Sequence, residues 1–176
     1  MSVPEFSRTV RIDTLGAGPR IVAIEAGEAE RVALARRFGF VSLSALTAEV
    51  ALARRGDAVT ASGTLRANVA QACVATGVPV EEKVEESFEV EFRPHPAATE
   101  EEIELGTGEL DVVFYDGAQV DIGEAVAETL SLGVEPYPRS SAAAHALREA
   151  GVTSEEEARE AASPFAALKG KLEKGA

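Results

Sequence analysis

The chain has 176 residues, 45% of them hydrophobic, with a formal net charge of −13, one cysteine and two histidines. A domain of that size buries roughly 70% of its unfolded surface, so folding requires neither a metal nor a disulfide, and a single cysteine excludes an internal one. The acidic balance works against broad nucleic-acid binding, which rests on Lys and Arg neutralising phosphates, and suits a basic protein partner.

Near the N-terminus, Phe6, Val10 and Ile12 alternate with Ser7, Thr9, Arg11 and Asp13, which predicts a half-buried strand whose parity Arg8 breaks once. Gly16 to Pro19 is a turn, and residues 21–24 form a short apolar strand. Glu28–Phe38 reads as a helix, with acids in its first turn, Arg36 and Arg37 in its last, and Gly39 placed to end it. Residues 46–52 put Leu46, Ala48, Val50 and Leu52 on one strand face, and Arg54-Arg55-Gly56-Asp57 is the following turn.

The longest pattern comes next. Val59, Ala61, Gly63, Leu65, Ala67, Val69 and Cys73 share one parity against Thr60, Ser62, Thr64, Arg66 and Asn68. Past a turn at 73–79, Val78, Val80, Val84, Phe88, Val90 and Phe92 oppose Glu81, Lys83, Glu85, Glu89 and Glu91, and Pro94 with Pro96 stops the run. Residues 63–92 therefore predict two antiparallel strands joined at that turn. The glutamate column faces either solvent or a basic partner, because like charges directly opposed would destabilise a sheet.

Residues 97–108 are an acidic connector, and Asp111–Tyr115 a short strand closed by Asp116-Gly117. Asp121 is placed as the N-cap of a helix with Glu124 three residues on, an acidic capping box. Ile122, Ala125, Val126, Thr129 and Leu130 form its packed stripe, and Gly133 and Pro136 end it. Beyond Tyr137 the composition shifts to Ala, Ser and Glu. Residues 153–162 read as a marginal helix, and Ser163-Pro164 opens a short one with Phe165, Leu168 and Leu172 on one stripe. The expected fold is an α+β domain over residues 1–139, a mostly antiparallel, curled, barrel-like sheet of about six strands packed by two helices. An Ala/Glu-rich tail over 140–176 ends in a short docking helix.

Chemistry-bearing patterns are sparse. Gly16-x-Gly18 lacks the third glycine and the helix of a dinucleotide fingerprint. His95 and His145 have no second ligand at metal-binding spacing. Asp111, Asp116, Asp121, Glu124 and Glu128 have turn, cap and surface-helix roles. Cys73 is the one candidate nucleophile, with no base among its neighbours Gln71, Ala72, Val74 and Thr76. The chain reads as a non-enzymatic protein without metal or cofactor. No apolar run reaches the ~20 residues of a membrane span, the first residues lack a secretory signal, and a cytoplasmic location is expected.

The run Gly63-x-Leu65-x-Ala67-x-Val69-x-Gln71-x-Cys73-Val-Ala-Thr76-Gly-Val-Pro79-Val80 with Phe88-x-Val90-x-Phe92 resembles the YceD family of large-subunit ribosomal RNA accumulation proteins. Asp121 to Leu132 with Glu135-Pro136-Tyr137-Pro138-Arg139, and Ser163-Pro164-Phe165-Ala-Ala-Leu168-Lys169, resemble two further stretches of that family, in order. Many members carry C-x-x-C at the bend where this chain has Cys73 and Thr76. A hydroxyl cannot replace a thiolate in a structural zinc site, so no metal is expected there.

The resemblance implies support of 23S ribosomal RNA accumulation and ribosome biogenesis, with no catalytic step. The expected partner is a basic ribosomal protein or assembly factor, the RNA being contacted directly or through it. Candidate partner-binding residues are Arg66, Asn68, Gln71, Cys73, Thr76, Glu81, Glu85, Glu89, Tyr137, Arg139, Phe165 and Leu168. The alternative is direct RNA binding by Arg54, Arg55 and Arg66 beside Tyr137 and Arg139. A more remote one is an enzyme acting on RNA or nucleotides. Oligomeric state is left open.

Overall fold

The computed structural model describes residues 4–16, 18–95, 111–153 and 158–159. Its elements are β1 (Thr9–Arg11), a 3-10 turn (Ile12–Thr14), β2 (Arg20–Glu25), α1 (Glu28–Phe38), β3 (Ser42–Arg55), β4 (Ala58–Ala72), β5 (Pro79–Pro94), β6 (Asp111–Tyr115), β7 (Gln119–Asp121), α2 (Ile122–Gly133) and α3 (Ala143–Glu149). One sheet has the order β2-β3-β4-β5-β6, and β1 pairs β7 in a second, two-stranded sheet.

The β4–β5 ladder runs in one unbroken register from Val59↔Phe92 to Ala72↔Pro79. With a side-chain period of two, that register sends Val59, Ala61, Leu65, Ala67, Val69, Val84, Phe88, Val90 and Phe92 into the core together. Leu46, Ala48, Val50 and Leu52 of β3 join them, and Leu34 and Ala35 of α1 with Ile122, Val126 and Leu130 of α2 pack on top. Phe6, Val10, Ile12 and Val120 complete this layer. The opposite face of the sheet carries Thr47, Glu49, Thr64, Arg66, Lys83, Glu85 and Glu89, and no described helix lies on it.

Several expectations are corrected. The sheet does not close into a barrel: among the described residues it is open, with β2 and β6 as its edges. In place of one sheet of about six strands, the described residues form a five-stranded sheet and a separate two-stranded one, and β6 runs parallel to β5. The first strand covers only Thr9–Arg11, because the backbone turns into the 3-10 segment at Ile12. Strand β3 starts at Ser42 rather than at 46. The pairing shifts between Leu43 and Ala45, so Leu43 and Leu46 are both buried despite opposite parity. Val78 is exposed instead of inward, since β5 begins only at Pro79. α3 lies where no element was expected, with Ala143 buried. The stripe at 165–172 lies outside the described residues.

Helix α2 is buried on two sides, which adds Gly123 and Ala127 to its expected stripe. A Cβ on Gly123 would stand 2.5 Å from the Phe6 carbonyl oxygen, so the N-terminal segment lies directly on this helix. Asp121 holds the two together: its carboxylate accepts from Gly123 N at 3.0 Å and Glu124 N at 3.3 Å, and also from Arg8 N at 2.8 Å and the Ser7 hydroxyl. The reciprocal half of the expected capping box is replaced. Glu124 takes Arg37 of α1 in a two-pronged pair at 2.6 and 3.0 Å. Arg8 reaches Glu30 at 2.7 and 2.8 Å, which holds that carboxyl below its usual range.

Gly63 sits mid-strand where a Cβ would fall 2.1 Å from the Glu49 carbonyl oxygen, so the strand requires glycine at that crossing. Gly63→Ala is expected to lower unfolding stability by roughly 1–3 kcal/mol, read as a reduced urea midpoint. Asp121→Ala, which removes the cap and the Arg8 anchor together, is expected to cost about 1–2 kcal/mol. Wild-type midpoints in both variants would refute these two roles.

Candidate functional site

The bend of the β4–β5 hairpin is tied within itself and then tied to a distant segment. Cys73 N donates to the Val78 carbonyl at 2.8 Å, and Gly77, at φ 73°, donates its N–H to the Cys73 carbonyl at 2.8 Å. The positive φ is why glycine follows Thr76 in the turn.

Residues 134–140, leaving α2, cross this bend. Val74 N donates to the Pro138 carbonyl at 2.9 Å, and Ser140 N donates to Cys73 Sγ at 3.3 Å. The hydroxyls of Thr76 and Ser140 lie 3.3 Å apart. Lower on the strands, Gln71 Nε2 donates to the Glu135 carbonyl at 2.9 Å and to Glu82 Oε2 at 3.2 Å. The Glu82 carboxylate in turn accepts from Glu135 N at 3.1 and 3.2 Å.

These bonds present Tyr137 outward. Pro136 and Pro138 fix φ on both sides of it, Pro138 is buried, and Tyr137 N donates to Glu135 Oε1 at 3.1 Å. The Tyr137 side chain is 71% exposed, and Val74 and Val78 of the bend are 55% and 45% exposed. Arg139, also exposed, follows directly. An aromatic on a stiffened backbone loses little entropy when a partner covers it.

Cys73 is 2% exposed. Hydrogen bonds from the Ser140 side chain and backbone, then from Thr76, draw its thiol down to about 6 from the ordinary thiol value. Sγ is thus an acceptor inside the bend, with Thr76 and Ser140 as its polar company. Among the described residues no three His, Cys, Asp or Glu side chains are grouped as a metal site requires. His95 stacks on Phe114 at 5.3 Å, and His145 lies 3.3 Å from Glu149 on exposed α3.

The sequence-chosen residues divide into two places. Gln71, Cys73, Thr76, Tyr137 and Arg139 come together at the tip. Arg66, Asn68, Glu81, Glu85 and Glu89 lie along the exposed strand faces, where Arg66 pairs Glu85 at 2.6 Å. The register sets Glu81, Glu85, Glu89 and Glu91 opposite Ala70, Arg66, Ser62 and Thr60, so no two of them face each other across β4–β5. Phe165 and Leu168 lie outside the described residues.

The four arginines and Tyr137 foreseen for RNA are not brought together in one place. Arg54 and Arg55 sit at the β3–β4 turn, and Arg54 is spent on the Gly56 and Ile12 carbonyls. Tyr137 and Arg139 are at the other end of β4, about 45 Å of strand away at about 3.3 Å per residue.

Glu82, Glu135 and Ser140 belong to the site, although none of them is among the candidate binding residues chosen from the sequence. A signal existed for Glu82 and Gln71, both polar on the core parity of their strands. Such a residue needs a partner from elsewhere, and residues 134–140 supply it.

A family model described as large ribosomal RNA subunit accumulation protein YceD matches residues 61–170, more than half of the chain, and so includes both the hairpin tip and the segment across it. No curated protein and no solved structure matches.

The bend is expected to make stability depend on pH. An unfolded cysteine titrates near ~8.5, so a folded thiol drawn down to about 6 stabilises the native state above that range and loses the contribution as pH falls through about 6. Urea unfolding of the wild type and Cys73→Ala across this range is expected to show a wild-type advantage that grows with pH. A difference that stays flat with pH would show that the thiol is not held this way.

Proposed function

The chain belongs to the YceD family, and we propose that it supports large-subunit ribosomal RNA accumulation in the cytoplasm as a non-enzymatic factor acting through protein contacts. The observation that carries this reading is the joining of two stretches 64 residues apart, at Thr76 and Ser140, into one braced surface with Tyr137 outermost. The braced surface is built for recognition, with an aromatic anchor, a flanking arginine and exposed valines. The charge of −13 favours a basic partner, a ribosomal protein or an assembly factor, and steers its approach.

The test is affinity capture by the full-length protein from nuclease-treated lysate, with mass spectrometry of what is held. Ribosomal proteins or assembly factors are expected, and Tyr137→Ala is expected to weaken their binding roughly tenfold or more with unfolding unchanged. Capture that disappears on nuclease treatment would overturn the protein route in favour of RNA contact.

A further inference from the structure

The face of the sheet left uncovered by the described residues is not flat. Two adjoining hollows of about 340 and 240 Å³ lie on it and share Glu49, Thr64 and Arg66. Cross-strand neighbours place Ile21, Ala51, Ser62 and Glu89 in one row, and Ala23, Glu49, Thr64 and Ser87 in the next. The floor is therefore small side chains, and Ile21, 68% exposed, stands at one side. Among the described residues, the side chains of Glu49 and Glu89 make no hydrogen bond or ion pair. The arginine within the trough is already neutralised by Glu85 at 2.6 Å.

Resting on the protein-contact reading above, we infer that this trough receives an extended, arginine- and lysine-rich segment of the partner protein. Charge complementarity selects the occupant. Two unpaired carboxylates, with Arg66 in the row beyond Glu49 already paired to Glu85, repel phosphate and attract cations. The apolar side distinguishes a peptide from a free cation. The aliphatic stem of an arginine lies along Ile21 and Ala51 while its head pairs a carboxylate. Glu49 and Glu89 are two strands and two residues apart, on the order of 12 Å, which an extended chain spans between basic residues about four positions apart. The fit is to a strand-like segment with basic residues on one face.

The probe is a labelled peptide of about 12 residues with arginines four apart and small polar residues between, titrated against the full-length protein by fluorescence anisotropy. The wild type is expected to bind, and E49Q/E89Q to weaken binding roughly tenfold or more. Ile21→Ser is expected to weaken it as well. E128Q/E149Q removes the same charge away from the trough and is expected to leave binding unchanged. Absence of binding, unaltered binding by E49Q/E89Q, an equal loss in E128Q/E149Q, or displacement of the peptide by single-stranded RNA would each overturn the trough. The two readings fail separately. Ribosomal-protein capture that survives E49Q/E89Q removes the trough and leaves the proposed function, whereas peptide binding without any such capture removes the function and leaves the trough.

Discussion

The register of β4 against β5 is the constraint on which the rest depends. Fourteen consecutive pairs, from Val59↔Phe92 to Ala72↔Pro79, leave no freedom in which side chains point where. A slip of one residue would bury Glu81, Glu85, Glu89 and Glu91 and expose Phe88 and Phe92, so the alternative registers are excluded by the cost of burying charge. One face must then be covered, and α1, α2 and the N-terminal segment cover it. The other carries so many charges that it stays uncovered among the described residues. The two-sidedness of the molecule follows from this pairing.

The cover is held by charge as well as by apolar contact. Arg8 is the one residue that disturbs the alternation of the first strand, and its guanidinium spans from its own segment to Glu30 of α1 while stacking over Phe6 at 4.5 Å. Arg37 does the same between α1 and Glu124 of α2, with Glu5 as a second carboxylate at 3.1 Å. Half-buried two-pronged pairs of this kind set orientation more than they add stability. Their effect is to fix α2 over β4 and β5, and so to fix where residues 134–140 leave it.

Legibility in the sequence tracked the range of the interaction concerned. The β4–β5 hairpin, α1 with its Gly39 terminus and α2 with its Asp121 cap were readable because each rests on a local period or a local turn. The first part of β3 was not. The irregularity between Leu43 and Ala45 resets its parity, and a period-two reading stops where the period does. The direction of β6 was hidden because five residues of alternation carry no information about their partner. The joining of the tip to residues 134–140 is non-local, yet Gln71 and Glu82 betrayed it by standing on the core parity. Polar residues on an otherwise apolar face were the clearest unused signal in the chain.

The bend at Cys73 and Thr76 is joined to residues 134–140 by hydrogen bonds alone among the described residues. The sulfur accepts from Ser140 N, and the Thr76 and Ser140 hydroxyls stand within bonding distance of each other. The Val74 N–Pro138 carbonyl bond and the bond from Glu135 N to the Glu82 carboxylate flank them on both sides. Several modest hydrogen bonds at ~1 kcal/mol each together hold the joint. On the proposed reading this also separates two tasks along one hairpin. The charged trough acts at long range and governs encounter, while Tyr137 acts on contact and governs choice of partner. Both are borne by β4 and by strands or segments bonded to it.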